Sequence, residues 1–128
     1  MIGILVVTHG GFAEGLLNAV ELIAGKQEKV KTAYEELDEG DGVMIFVDIL
    51  GGSPSNAVMK LMAQKPGIKA IAGVNMPMLV GAAMSREGST LEELCNSCWN
   101  SRMNNQVLLH EEFKAMSANM NNDEDDNF

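Results

Sequence analysis

The sequence predicts an α/β fold, in which a mainly parallel, open sheet carries helices on both faces. Apolar runs of strand length occur at residues 2–7, 43–47 and 68–72. Each run is followed by a glycine-containing turn and then by a stretch with helical spacing of apolar residues. Strands that are apolar throughout and alternate with helices are typical of parallel sheets covered on both faces.

Start and stop signals predict the individual helices. The first helix covers Phe12–Ala24 and ends at Gly25. The second covers about residues 55–63, because Ser53 suits an N-cap and Pro54 the first helical position. The other predicted elements are a short helix at 32–37, a helix at 78–84, a helix at 91–103 capped by Ser89 and Thr90, and a short last strand at 106–110.

Length and charge exclude several classes of protein. The chain has 128 residues, which fits one domain, and a net charge of −9 from eighteen acidic and nine basic residues. No basic patch is available for nucleic acid. No apolar stretch reaches the ~18 residues of a membrane span, and no signal peptide is recognisable, so no membrane insertion is predicted. Two closely spaced cysteines make no disulfide framework, which favours a cytoplasmic location.

The acidic charge is concentrated near the C-terminus. Asp123, Glu124, Asp125 and Asp126 form a continuous acidic run. Such runs are usually solvated and lack a packed core. We therefore predict a folded domain over residues 1–112 and an acidic, disordered tail over residues 113–128.

Unusual residues follow three of the predicted strands. Thr8, His9 and Gly10 follow the first strand, Asp48 and then Gly51-Gly52-Ser53 follow the second, and GVNMP at 73–77 follows the third. Ligands of open parallel sheets bind beyond the C-terminal ends of the strands. One site can therefore collect all three groups.

His9 is suited to covalent chemistry. An imidazole is a good nucleophile near neutral pH when one ring nitrogen is unprotonated. A glycine turn leading into a helix N-terminus favours binding of an anion. A carboxylate bonded to the other ring nitrogen would fix the tautomer and stabilise the charge of a substituted ring. Asp48, at the end of the neighbouring strand, is the candidate for this role; alternatively, Asp48 is a helix or turn cap. We predict that His9 carries a phosphoryl group, with His9 and Asp48 as catalytic residues.

Backbone amides and one hydroxyl complete the predicted phosphoryl site. Gly10, Gly51 and Gly52 let N–H groups approach a phosphoryl oxygen closely. Ser53 could donate its hydroxyl to the same group, cap the helix, or do both. No metal and no cofactor are predicted.

Other chemistry is disfavoured by position or composition. Cys95 and Cys98 have C-x-x-C spacing, but they fall inside a predicted helix rather than at its start, which favours packing over redox chemistry. A zinc site would need two more ligands, and the chain has only two histidines. A flavodoxin-like cofactor binder is disfavoured, because one Trp and one Tyr offer little to stack a flavin.

In combination, these motifs resemble the mannose-class enzyme IIA domain of the bacterial sugar phosphotransferase system. The matching stretches are GILVVTHG with FAEGLL, then VD with GGSP and NA, and then AGVNMPML. The resemblance covers residues 1–102. It implies that His9 is phosphorylated on its outward nitrogen, that Asp48 orients the other nitrogen, and that Ser53 contacts the phosphoryl group.

The resemblance also implies partners. The histidine phosphocarrier protein would be the phosphoryl donor and a sugar-specific enzyme IIB the acceptor. Family members are typically homodimers in which the last strand, here residues 106–110, crosses to the partner's sheet. The acidic end predicts a separate subunit without a fused IIB domain.

One stretch departs from the family pattern. Family members usually have a second strand and the start of a helix before the ELDEGDGV turn, and residues 27–34 are too few to hold both. We therefore predict that the second strand is missing, apart from a stub around Val30. Its loss would expose an edge of the first strand.

Two alternative functions stay open at this point. One is a regulatory or binding module that keeps the fold but has lost phosphoryl transfer through the deletion. The other is the phosphotransferase-linked subunit of dihydroxyacetone kinase, which carries a similar histidine domain but lacks the GGSP and NMPM stretches present here.

Overall fold

The computed structural model describes residues 1–32 and 37–126. This part of the chain forms four strands and five helices. In chain order they are β1 (Gly3–Val7), α1 (Phe12–Ala24), β2 (Val30–Lys31), β3 (Val43–Val47), α2 (Ser53–Gln64), β4 (Ile68–Ala72), α3 (Met76–Ser85), α4 (Leu91–Asn100) and α5 (Leu109–Asp126).

The four strands form one parallel sheet in the order β2-β1-β3-β4. β1 and β3 pair along their whole length, and Val7 at the end of β1 lies opposite Val47 at the end of β3. β3 and β4 pair in the same way, with Val47 opposite Ala72. The predicted α/β fold is confirmed, and three strands end level with one another.

Helices cover both faces of this sheet, as predicted. Alternate strand residues point to opposite faces, so Ile4 and Val6 face one core and Leu5 the other. The larger core packs α1, α3 and α4 on the sheet, and the smaller one includes Val58 of α2. Burial of both faces explains why the strands are continuous apolar runs.

The helix boundaries agree closely with the sequence signals. α1 has the predicted bounds, and Thr90 caps α4 by accepting the backbone N–H of Glu93 at 3.1 Å. α4 ends at Asn100, earlier than predicted. The helix predicted for 32–37 falls largely on residues 33–36, which lie outside the described residues. No helix in the described part of the chain is long and apolar enough to span a membrane.

The strand beside β1 is short, but it is present. β2 has two residues, and Val30 and Lys31 pair in parallel with Ile4 and Leu5. Val30 is buried in the larger core, which holds this strand against the sheet. The prediction that the strand is missing is therefore not confirmed; the stub expected at Val30 occupies its place.

Arg86, at the end of α3, fastens the segment before β2 to the sheet. Its side chain is only 3% exposed. The guanidinium donates hydrogen bonds to the backbone oxygens of Ile2 at 3.1 Å and Lys29 at 3.3 Å, to the backbone oxygen of Glu28, and to Oε1 of Gln27 at 3.4 Å. Burial lowers the pKa of Arg86, and these acceptors compensate for the lost hydration.

The C-terminal segment differs from the prediction. The strand expected at residues 106–110 is absent: residues 106–108 have no regular structure, and α5 begins at Leu109. α5 continues to Asp126, through most of the stretch predicted to be a disordered tail. An extended segment needs a neighbouring strand to satisfy its backbone, whereas a helix satisfies its own. Glu111 and Glu112 also favour a first helical turn.

We expect Arg86→Ala to lower the free energy of unfolding by about 2–4 kcal/mol, because several buried carbonyl groups would lose their donor. Arg86→Lys keeps a charged donor but not the planar fork of the guanidinium. It should therefore also lower the free energy of unfolding, but by less than Arg86→Ala does. Urea unfolding followed by circular dichroism measures both changes.

Arg102→Ala is the matched control. Arg102 is half-buried and its guanidinium binds only near its own helix end, over the Trp99 ring and at 2.7 Å from the Trp99 backbone oxygen. Its removal should cost less than about 1 kcal/mol. Equal losses for Arg86→Ala and Arg102→Ala would contradict the role assigned to Arg86.

Candidate functional site

His9 lies just beyond β1, in the turn that leads into α1. Thr8 shapes this turn, since its Oγ1 accepts a hydrogen bond from the backbone N–H of Ala13 at 2.8 Å. The N-cap residue Gly11 makes no side-chain cap bond, so Thr8 takes over this task. The His9 side chain is 53% exposed. Its ring is therefore accessible to another protein.

Asp48 lies beside His9, directly after β3. Its Oδ2 accepts the backbone N–H of His9 at 2.9 Å and lies 2.8 Å from His9 Nδ1. Its Oδ1 accepts the backbone N–H of Ile49 at 2.9 Å. These bonds, chiefly that from the His9 backbone, lower the pKa of Asp48 to about 2, although partial burial opposes the shift. The carboxylate is therefore ionised at neutral pH.

The ionised Asp48 determines which nitrogen of His9 is available. A carboxylate only accepts hydrogen bonds, so His9 Nδ1 must carry the hydrogen in this contact. In the neutral ring, Nε2 then has a free lone pair. The nitrogen that points away from Asp48 is the nucleophilic one.

Gly52 packs against the reactive side of the His9 ring. A Cβ atom at position 52 would lie 3.2 Å from Nε2 and 3.4 Å from Cε1 of His9. Gly51 and Gly52 have φ values of +90° and +89°, a conformation that favours glycine. The backbone after Asp48 therefore lies so close to Nε2 that a side chain at position 52 would require the His9 ring to shift.

Ser55, which the motifs did not single out, holds this glycine loop. Its side chain is 4% exposed. The hydroxyl accepts the N–H of Gly51 at 2.8 Å and donates to the carbonyl oxygen of Gly52 at 3.3 Å. The Gly51 amide is thus already engaged in this conformation. The available signal was position, because a polar residue three places after a helix N-cap can reach back to the preceding backbone.

Ser53 does not cap α2 as predicted. Gly52 is the N-cap residue, Ser53 is the first residue of the helix, and no side chain caps this end. With Gly52 in a left-handed conformation as the N-cap, the helix starts one residue earlier than the Ser-Pro signal suggests. Ser53 is exposed and directly follows Gly52, where an added Cβ would meet the His9 ring. The N-terminal amides and dipole of α2 therefore lie next to Nε2, where they favour negative charge.

The end of β4 supports the site through its backbone. The N–H of Gly73 donates to the carbonyl oxygens of Val47 at 2.9 Å and Asp48 at 3.1 Å. The Asn75 side chain instead caps α3 by accepting the N–H of Met78 at 2.8 Å, and it donates to the carbonyl oxygen of Arg102 at 3.1 Å. Gly10, with φ +54°, lies in open space after His9.

The two cysteines pack rather than react. Cys98 belongs to the larger core, and burial raises the pKa of its thiol to about 11. Cys95 is half-buried against the same core. Among the described residues, no group of three or more His, Cys, Asp or Glu side chains could hold a metal ion.

Comparison with known proteins identifies relatives over most of the chain. A family model described as the PTS system fructose IIA component matches residues 3–34 and 26–98. The mannose-specific EIIAB component of Escherichia coli K12 is 38% identical over 104 residues, which cover 67% of this chain and 32% of that protein. This chain therefore spans about a third of the length of that relative.

A second relative and a solved structure match nearly end to end. The fructose-specific EIIA component of Bacillus subtilis is 29% identical over 145 residues, covering 98% of this chain and 99% of that protein. The crystal structure of a phosphotransferase system EIIA component from Streptococcus agalactiae superposes with a TM-score of 0.74, at 29% identity, covering 87% of this chain and 99% of that one.

The matches also indicate where this chain is shorter. The two family-model segments overlap at residues 26–34, around β2. The alignment with the B. subtilis protein is longer than this chain of 128 residues, so that relative carries residues that are absent here. With a family model matching most of its length, the chain belongs to the mannose-class IIA family of the sugar phosphotransferase system.

Proposed function

We propose that this chain is a phosphoryl carrier of a sugar phosphotransferase system and that Nε2 of His9 carries the phosphoryl group. The observation that supports this most directly is the 2.8 Å contact between His9 Nδ1 and Asp48. It leaves Nε2 nucleophilic, on a half-exposed side chain and beside a glycine backbone. We assign His9 and Asp48 the catalytic roles, and Gly10, Gly51, Gly52 and Ser53 the surroundings of the phosphoryl group.

The chemistry is an in-line displacement at phosphorus. The lone pair of Nε2 forms the new N–P bond, while the electrons of the donor's N–P bond return to the donor's ring nitrogen. The His9 ring becomes positively charged, because Nδ1 keeps its hydrogen. Asp48 stabilises that charge, and the amides at the start of α2 stabilise the phosphoryl oxygens. Positioning and fixed dipoles supply most of the catalysis.

The donor and the acceptor are proposed to be the histidine phosphocarrier protein and an enzyme IIB, in the cytoplasm. Each must bring a group in line with the same nitrogen, so the two must bind in turn on overlapping surfaces. Ile49 and Leu50, directly after Asp48, and Phe12, at the start of α1, are exposed apolar side chains. They are suited to form the shared docking surface around His9.

One prediction of this proposal concerns the phosphorylated residue. Incubation with phosphoenolpyruvate, enzyme I and the phosphocarrier protein should give one acid-labile, base-stable phosphate per chain. His9→Ala should abolish it, because the substitution removes the ring nitrogen that forms the bond to phosphorus. His110→Ala is the matched control, since His110 is the other histidine and is exposed on α5. Uptake that survives in His9→Ala, or no uptake by the wild type, would reject the assignment; the latter would favour a binding module.

Another prediction concerns Asp48. Asp48→Asn should slow phosphoryl transfer roughly 10²-fold, since the His9 ring loses its fixed orientation and tautomer. Rapid-quench kinetics measure the rate. Asp41→Asn, an exposed aspartate that pairs with the N-terminus, is the control for loss of one carboxylate. Transfer at the wild-type rate in Asp48→Asn would remove Asp48 from the mechanism.

The low pKa of Asp48 predicts a matching pH dependence. The folded pKa of Asp48, about 2, lies below the ~3.9 of an unfolded aspartate. The ionised carboxylate therefore stabilises the fold fully above the unfolded pKa, and this contribution is lost as the pH falls towards about 2. The carboxyl carbon resonance of Asp48 should titrate near pH 2. A midpoint near the unfolded value would contradict the hydrogen-bonded geometry.

We further propose that the chain forms a homodimer through α5, because no strand is present at 106–110 to be exchanged. Leu109, Phe113, Met116 and Met120 are all exposed. Their spacing of four, three and four residues matches the alternating core positions of a coiled coil. The acidic run at 123–126 favours an antiparallel pair, since a parallel one would place both runs together. Exposed Val107 and Leu108 extend the apolar surface.

A substitution on α5 tests this dimer. Phe113→Glu should convert the chain to a monomer in analytical ultracentrifugation, because it places a charge in the centre of the apolar stripe. Ala115→Glu adds the same charge off the stripe and should leave the dimer intact. A wild-type chain that is monomeric at all concentrations, or a dimer that survives Phe113→Glu, would contradict the proposal.

A further inference from the structure

We propose that Ser55 is a positioning residue for phosphoryl transfer, acting on Nε2 of His9 through the Gly51-Gly52 loop. The inference rests on the proposed function, in that His9 Nε2 is taken as the reacting atom. Ser55 does not touch His9. Its effect is transmitted by the two glycines that it binds.

The contacts of Ser55 connect it to the reacting nitrogen in two steps. Its hydroxyl accepts from Gly51 N–H at 2.8 Å and donates to the Gly52 carbonyl oxygen at 3.3 Å. Gly52 in turn lies so close to His9 that an added Cβ would be 3.2 Å from Nε2. A change at the Ser55 hydroxyl therefore reaches the space where a phosphoryl group must fit.

The loop needs such a constraint because glycine does not supply one. Gly51 and Gly52 populate many backbone conformations in the absence of outside contacts. No side chain caps α2, so the usual means of fixing a helix start is missing. The buried Ser55 hydroxyl bonds on both sides of the Gly51–Gly52 peptide and so selects one conformation. Its burial shields these bonds from competition by water.

The same contacts assign different roles to the two glycines. The N–H of Gly51 is used by Ser55, so Gly51 contributes its conformation rather than a donor to the phosphoryl group. The donors for that group come from the α2 N-terminus that follows Gly52. Ser55 determines where this N-terminus lies relative to Nε2.

Two substitutions separate hydrogen bonding from packing. Ser55→Ala removes the hydroxyl. Ser55→Cys keeps nearly the same shape but bonds weakly. If Ser55 acts through its hydrogen bonds, both variants should lower kcat for phosphoryl transfer about 5- to 30-fold, with KM for the phosphorylated donor changed less than about 2-fold. If Ser55 only fills space, Ser55→Cys should behave as the wild type.

Ser89→Ala is the matched control. The Ser89 hydroxyl donates to the backbone oxygen of Ser85 at 2.7 Å, next to the end of α3. It is a helix-end hydroxyl with no link to the glycine loop. Its removal should leave kcat and KM at wild-type values.

NMR on the unphosphorylated chain gives a readout that needs no transfer. In both Ser55 variants, the Gly51 amide should exchange faster with solvent, and the Cε1–H resonance of His9 should shift. If the wild type takes up no phosphate, the proposed function has failed, and these spectra still test the positioning. The proposal would be overturned if the variants had wild-type kcat, or if their His9 resonances stayed unchanged while their stability fell. In either case Ser55 would stabilise α2 without affecting the position of His9.

Discussion

The pairing of His9 with Asp48 depends on the register of β1 and β3. Val7 lies opposite Val47, so the two chains leave the sheet at the same level and the next polar residues meet. A shift of one residue would turn every strand side chain to the other face and separate the pair. The apolar residues that fill both cores prevent such a shift, and so core packing maintains the 2.8 Å contact.

One oxygen of the Asp48 carboxylate binds both the backbone and the ring of His9. Oδ2 accepts both the His9 backbone N–H and the ring Nδ1, which fixes the ring relative to the chain that carries it. The N–H of Gly73, directly after β4, donates to the carbonyl oxygen of the same residue. The His9 ring is therefore fixed by hydrogen bonding on its Nδ1 side, although about half of the side chain is exposed to solvent. Such rigidity suits the proposed carrier role, in which two partners would meet the ring in the same geometry.

The sequence predicted the features that depend on local chemistry or strand order. Apolar runs with intervening helices identify the parallel sheet, and parallel strand ends bring His9 and Asp48 together. Ser55 was missed because the Ser-Pro signal placed the N-cap at Ser53; only with the N-cap at Gly52 does Ser55 stand three places after it, where its side chain can reach back. The C-terminal strand was predicted from a short apolar stretch at 106–110. In the structure a helix begins at Leu109 instead, in agreement with the helical spacing of Leu109, Phe113 and Met116. Arg86 is likewise invisible in sequence, since its acceptors lie far away along the chain.

The shortened stretch and the functional site lie at opposite ends of the sheet. β2 pairs with Ile4 and Leu5, and the segment before it is held by Arg86 at the level of Ile2, where β1 begins. His9 lies beyond the other end of β1. The shortened stretch around β2 therefore removes surface at the start of the sheet. Arg86 and the buried Val30 keep the contacts that hold β1 in place. Because the site is built from the C-terminal ends of β1, β3 and β4 and the start of α2, its geometry does not require a longer second strand.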